Sequence, residues 1–239
     1  MVSVSPAEFI QKEVLRDKIY ELLKGWILGG KLKPGEKVVE LALAKQLNVS
    51  RAPLREALLA LSQQGFITIK PHQGSFVTEL SGQDITEIFE VREVLEIYAA
   101  KKVRRSLTPE RVAVLKRGLE ELEEAARNRD VLQFAEADLN FHRALWSLAG
   151  NSHLEKLLID ISTRFFGYEQ IRDHSNAPDF KFEEMVEEHR RMVNLVLSGS
   201  DEEVEVGFKH AYNEFLEYVL QRFGEKRVNA AEPDARDAA

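Results

Sequence analysis

Residues 43–58 read LAKQLNVSRAPLREAL, and they decide the fold of the first third of this 239-residue chain. A short helix from about Val39 to Gln46 turns Leu43 and Leu47 inward, and Asn48 breaks it. Ser50 then opens a second helix as its N-cap. That helix runs to about Gln64 with Leu54, Leu58 and Leu61 as its apolar stripe, while Arg51 and Arg55, four apart, lie together on its other face. Two short helices joined by so tight a turn make a helix-turn-helix.

The flanks complete the unit. Upstream, about Phe9 to Leu28 forms a helix with Leu15, Ile19, Leu22 and Trp26 as its expected apolar face, and Gly29-Gly30 stops it. Lys31 to Glu36 contains Pro34-Gly35 and forms a turn. Downstream, Gly65 caps the second helix. Phe66–Lys70 and Ser75–Glu79 are rich in β-branched and aromatic residues and alternate as strands around a Pro71-His72-Gln73-Gly74 loop. The expected unit is a winged helix-turn-helix of three helices plus a small β-hairpin.

From Asp84 onward no strand signal returns. Helices are expected at about 84–106, 109–128, 130–149, 152–174, 180–198 and 201–223, with Thr108-Pro109 as a cap followed by a first-turn proline. Phe141, Leu145 and Leu148 form one stripe, and Leu154, Leu157, Leu158 and Ile161 another. Connections this short favour antiparallel neighbours, so the fold class is mainly α: the winged unit at 1–79, then an all-α antiparallel helical bundle at 80–226. The tail 227–239 is polar and Ala-rich and is expected to be disordered.

Charge divides along the same line. The whole chain carries 33 Lys+Arg against 40 Asp+Glu, a net −7, but residues 1–79 hold 11 against 8 and residues 80–239 hold 22 against 32. A weakly basic head and an acidic body suit different partners. The chain has no cysteine, which excludes disulfides, thiolate metal sites and a Cys nucleophile, so any metal must be held by His and carboxylate. With neither a signal-peptide pattern nor a run of about 20 apolar residues, the expectation is a cytoplasmic protein with no membrane partner.

The head suits DNA. Side chains at the start of a second helix of this kind enter the major groove, where Arg51 and Arg55 can pair bidentately with guanine. Ser50 and the helix N-terminal amides can take a phosphate, and the His72–Gly74 loop can reach the adjacent minor groove. The body carries a possible metal site. Asp138 and His142 are four apart on one helix face, His189 lies on a later helix and His210 on the last, so three antiparallel helices can bring His₃Asp together. Zinc, nickel, manganese and iron fit this donor set equally. A helical histidine among apolar neighbours is equally a hydrogen-bonded structural residue, and Asn213 and Glu214 share the face of His210.

The runs LGGKLKPGEKVVE (28–40), LAKQLNVSRAPLREAL, Gly65-Phe-Ile and Gln73-Gly-Ser-Phe-Val77 closely resemble the DNA-binding domain of the GntR family of bacterial transcription regulators. The resemblance implies DNA contacts at Arg51, Arg55 and the wing around His72 and Gly74. Some family members place a basic residue where this chain has Leu41, which leaves Lys45 to supply that contact. DLNFHRAL (138–145), Gly150-Asn151, Glu188-His189-Arg, Gly199-Ser-Asp201 and Lys209-His210 resemble the FCD effector domain of the FadR-type branch. That resemblance implies a divalent metal on Asp138, His142, His189 and His210 and a small organic acid as effector. A bound cation would reverse the local electrostatics of an acidic domain. Arg92 is the expected second anchor for the acid, or else the partner of Glu96 one turn on.

These readings converge on a homodimeric, ligand-responsive regulator, not an enzyme, binding a pseudopalindromic operator. Two rivals are a regulator whose signal is the metal itself and a metalloenzyme. The second has no His-Glu-x-x-His and no nucleophile–base pair to support it.

Overall fold

The computed structural model describes residues 6–174 and 180–224. The connection between the helices expected at 152–174 and 180–198, which contains Asn176-Ala177-Pro178, and the expected tail at 227–239 lie outside them. Among the described residues the order is α1 (Pro6–Leu28), β1 (Lys37–Val38), α2 (Glu40–Leu47), α3 (Arg51–Gln63), β2 (Ile67–Lys70), β3 (Gly74–Val77), α4 (Gly82–Arg104), α5 (Pro109–Asn128), α6 (Val131–Leu148), α7 (Ser152–His174), α8 (Phe182–Ser198) and α9 (Asp201–Phe223).

Local chemistry places the breaks. Asn48 adopts the left-handed conformation at the end of α2, and the N–H groups of Asn48 and Val49 return to the last carbonyls of that helix. Gly65 does the same after α3 with φ +79°. Thr108 accepts the Arg111 N–H with Pro109 in the first turn of α5, and Asp130 accepts two N–H groups at the start of α6. Ser81 with Asp84, and Ser200 with Glu203, close reciprocal capping boxes on α4 and α9.

Two details differ from expectation. The sheet has three strands in the order β1-β3-β2, all antiparallel, with Lys37 opposite Phe76 and Thr68 opposite Phe76 on the other side. The extra strand is only two residues long, too short to show alternation. On α1 the buried stripe is Ile19, Leu23 and Ile27, whereas Leu15 and Leu22 are exposed and Trp26 is half-buried. Both faces of α1 are apolar, and the packing of α1 on α3 selects between them.

Leu54, Ala57, Leu58 and Leu61 of α3 form one core with the α1 stripe, Val38, Phe66 and Val77. The helices that follow enclose a second core, with α4 packed on α7 and α9, α5 on α6 and α8, and α8 on α9. The two cores meet on α7. Ile171 of α7 is buried within the N-terminal core, and Leu132 of α6 packs against it. There Gly65 sits against the α7 backbone so closely that a Cβ would lie 1.9 Å from the Thr163 carbonyl oxygen. A Cβ on Gly167 would lie 2.3 Å from Gly65 C.

This seat makes a discriminating prediction. Alanine inside a helix normally stabilises it relative to glycine by about 0.5–1 kcal/mol. Gly167→Ala is expected to do the opposite for the junction, unseating the N-terminal unit while α7 itself remains helical. In hydrogen exchange, the α3–β2 segment and its α7 contact should lose protection at unchanged total helicity. Unchanged exchange there would show that the seat is not held by this close approach.

Candidate nucleic-acid interface and metal centre

Ser50 stands at the N-cap of α3 with extended backbone, but its hydroxyl makes no capping bond, so the position expected to meet a phosphate has its side chain uncommitted. Arg51 and Arg55 are both more than half exposed. They converge on Glu40 at the start of α2, with Arg55 Nε 2.6 Å and Arg51 Nη2 3.4 Å from Glu40 Oε2. Exposed pairs of this kind contribute little to stability. Their effect is to orient two guanidinium groups on one face, a role for Glu40 that its place outside the arginine helix concealed.

His72, at the tip of the β2–β3 turn, has φ +59°, and Gly74 has φ +103°, a backbone glycine supports without strain. Lys70 and Lys37 bring their ammonium groups to 5.0 and 5.7 Å from the Phe76 ring, adding two cations to this wing. Leu41 is exposed, as is Lys45 one turn on, and both border the same hollow as Ser50 and Arg51.

The second site is buried among the long helices. Asp138 and His142 of α6 and His189 of α8 bring one donor atom each to within 4.8 Å of one another. His142 Nε2 is 3.5 Å and His189 Nε2 2.7 Å from the same oxygen, Asp138 Oδ1. The outer ring nitrogens fix the tautomers. His189 Nδ1 lies 2.8 Å from the Met185 carbonyl, which can only accept, and His142 Nδ1 lies 2.9 Å from Glu96 Oε2. When the imidazoles are neutral, each Nδ1 is therefore the protonated nitrogen, and each Nε2 presents a lone pair toward Asp138. Asp138 Oδ1 and His189 Nε2 make no hydrogen bond of acceptable geometry despite their separation. A neutral His142 and His189 facing Asp138 in this way could hold a cation between them, and outer-shell partners on both imidazoles are how metal-binding histidines are held. The residues fit a divalent ion. The ring contact between Phe141 and His189, centroids 4.9 Å apart, helps fix the ring plane.

Electrostatics follow from burial. Burial opposes charge on Asp138, but the imidazoles, His189 foremost, and Arg92 bring its carboxyl below the ordinary value. Burial likewise works against a charged His189, and the Asp138 carboxylate overrides it, raising that imidazole. Glu96 is held low against burial by His142 and Arg92. Arg92 Nε and Nη2 donate to Glu96 Oε1 at 3.1 and 2.9 Å, so the intrahelical pair forms, and it is continuous with the His142 anchor. The guanidinium is surrounded by Phe89, Phe165, Phe166 and Tyr212, all within 5.8 Å.

His210 is not part of this group. It is 64% exposed and pairs with Glu214 at 3.3 Å. The buried stripe of α9 runs through Val204, Phe208, Ala211, Tyr212, Leu216 and Val219, and a residue two positions from Tyr212 is turned about 200° away. Tyr212 faces the site instead. Burial raises its phenol well above the ordinary value, which keeps it neutral. Of the other histidines, His153 is exposed near the start of α7; the side chain of His174 lies outside the described residues.

Asp138, His142, His189, Arg92 and Tyr212 line a cavity of about 1100 Å³ that opens between α8 and α9. No described helix is long and apolar enough to cross a membrane.

Comparison with known proteins finds relatives of both parts of the chain. The model of bacterial regulatory proteins of the gntR family matches residues 15–77, and that of the FCD domain matches residues 87–210. An HTH-type transcriptional regulator of Bacillus subtilis, YdhC, is 30% identical over 85% of this chain and 92% of its own length. The regulator LutR of the same organism is 28% identical over 84% of this chain and 99% of its own. Among solved structures, McbR/YncC of E. coli superimposes with a TM-score of 0.64 at 24% identity, covering 87% of this chain and 98% of that one, a likeness of fold. With a helix-turn-helix and its arginines at one end and an FCD bundle at the other, the chain belongs to the GntR family of bacterial DNA-binding transcriptional regulators, and it is not an enzyme.

Proposed function

We propose that this regulator responds to a small carboxylate that binds beside a divalent metal in the FCD domain, and that the response alters how a homodimer sits on a pseudopalindromic operator. The observation that carries the reading is the convergence of Asp138 Oδ1, His142 Nε2 and His189 Nε2 at the wall of a cavity that Arg92 also lines. Asp138, His142 and His189 would hold the ion, whose charge supplies the attraction for an acid in an otherwise acidic domain. Zinc, nickel, manganese and iron all suit two imidazoles and a carboxylate. Arg92, fixed by Glu96, supplies the second positive charge.

On the DNA side, Arg51 and Arg55 read base edges, Ser50 meets a phosphate, and His72 and Gly74 bring the wing to the neighbouring groove. One such unit makes few base contacts, so two-fold pairing is needed for specificity. The exposed stripe of Val91, Val94 and Tyr98 on α4 supports dimerisation through that helix. The domain limits adopted, 1–79 and 80–226, place the division at the loop before α4.

The test is DNA binding by the full chain, measured by fluorescence anisotropy on fragments selected from random-sequence DNA. After metal is stripped, zinc or nickel is returned with and without a panel of small carboxylic acids. Metal and acid together are expected to shift DNA affinity by roughly 5–150-fold, the usual range of allosteric coupling. A full response to metal alone would favour metal sensing. Affinity indifferent to both would overturn the proposal.

A further inference from the structure

Glu40 sets a negative charge beside the two arginines of α3, in a unit that holds only 11 Lys+Arg against 8 Asp+Glu. An acid in the first turn of α2 favours that helix through its dipole. This one is also turned to α3, where a single oxygen, Oε2, accepts from Arg55 Nε at 2.6 Å and Arg51 Nη2 at 3.4 Å, fifteen and eleven residues along the chain. Nearby cations are treated differently. Lys45, which borders the hollow beside Arg51, and Lys37 on the wing form no ion pair among the described residues. Within Arg55 only Nε is engaged by a described residue, which leaves the two terminal nitrogens as a fork of the kind that pairs with guanine O6 and N7.

We propose that Glu40 is a specificity-determining residue of DNA recognition: its carboxylate holds Arg51 and Arg55 for guanine and repels the phosphate backbone from them, so that DNA of any other sequence is bound less well. This inference rests on the assignment of the two arginines to base edges made above. A phosphate taken by Arg51 or Arg55 must approach a carboxylate already seated there, like charge against like charge. Guanine brings no charge, and its O6 and N7 accept from terminal nitrogens that Glu40 leaves open. The penalty therefore falls on backbone contacts, which carry non-specific binding, and spares the base contacts that carry sequence. Lys37 and Lys45, without such a partner, remain available to phosphate.

The experiment uses the full chain and two DNA probes: a fragment that wild-type protein selects from random-sequence DNA, and a scrambled fragment of the same composition. Affinities are read by anisotropy at several salt concentrations. Glu40→Gln matches the side chain in volume at a partly exposed position and removes only its charge. It is expected to bind the scrambled fragment about threefold or more tighter, with a salt dependence steeper by about one phosphate contact per subunit. Its affinity for the selected fragment should not rise in step, so the ratio of the two affinities falls about threefold or more. In the Arg51→Ala/Arg55→Ala background the same change should leave the ratio unaltered, because the arginines through which Glu40 acts are gone. Equal changes on both fragments, or none, in Glu40→Gln protein would overturn the proposal and leave Glu40 as a background charge or a support of α2. A fall in the ratio that persists without the arginines would overturn it as well. Full sequence preference in the double arginine variant itself would instead refute the underlying assignment of Arg51 and Arg55, and the proposal with it.

Discussion

Asp138→Asn protein is expected to emerge from dialysis against a weak chelator without metal, whereas the wild type retains one equivalent. The carboxylate oxygen is the point on which both imidazole Nε2 atoms converge, at 3.5 and 2.7 Å, so the substitution removes the only anionic donor of the three. Loss of an outer-shell partner typically lowers metal affinity 10–100-fold, and loss of a direct charged ligand should exceed about 100-fold. Because asparagine preserves the volume, the fold should survive. A thermal melt supplies the second readout. At a free metal concentration about 100 times Kd, the wild type should gain about 2.7 kcal/mol, and the variant nothing. The same site should release metal as pH falls, since a ligating imidazole must be neutral. Asp138 raises His189, so protons compete with metal at a higher pH than an ordinary histidine would allow. A variant that holds a full equivalent of metal would remove Asp138 from the ligand set.

The second large effect is on DNA. The double variant Arg51→Ala/Arg55→Ala is expected to lose specific operator binding, at about 1–3 kcal/mol for each bidentate arginine–guanine pair in each half-site. Folding should be nearly untouched. Both guanidinium groups are more than half exposed, and their pairing with Glu40 contributes at most about 1 kcal/mol. Residual binding should be weak, sequence-indifferent and steeply salt-dependent, as expected when the remaining contacts are to phosphate. Anisotropy titrations at two salt concentrations against specific and scrambled DNA separate these terms. Full specificity in a folded double variant would move sequence reading away from α3.

What the sequence made legible follows from the range of the interactions involved. Helix starts and stops are local: Ser81 with Asp84, Thr108 with Pro109, Asp130, and the left-handed Asn48 and Gly65 each act within a few residues. The pairing of Asp138 with His142 is likewise a matter of four residues on one helix. Choices between faces were harder. On α1, a stripe through Leu15 and Leu22 and one through Ile19, Leu23 and Ile27 are equally apolar, and only α3 distinguishes them. On α9 the signal was present but outweighed by chemistry. A histidine attracts attention as a ligand, whereas the apolar positions from Val204 to Val219 already put Tyr212, not His210, on the inner side. Glu40 and Glu96 act on residues from other helices, and no spacing rule links Glu40 to Arg55 or Glu96 to His142.

The seat of Gly65 on α7 bears on how this protein would answer its signal. Phe165 and Phe166 of α7 stack about Arg92, and Phe166 lies 5.9 Å from His142, while the next residue, Gly167, bears the backbone of the N-terminal unit. The proposed sensor and the reader thus share a single helical turn, and no relay across the domain is needed to join them. Contact between two backbones without side chains has no compressible padding, so it cannot yield by degrees. Each molecule should be either docked or released, and a graded dose of effector should appear as a changing fraction of released molecules rather than a progressive tilt of the DNA-reading head.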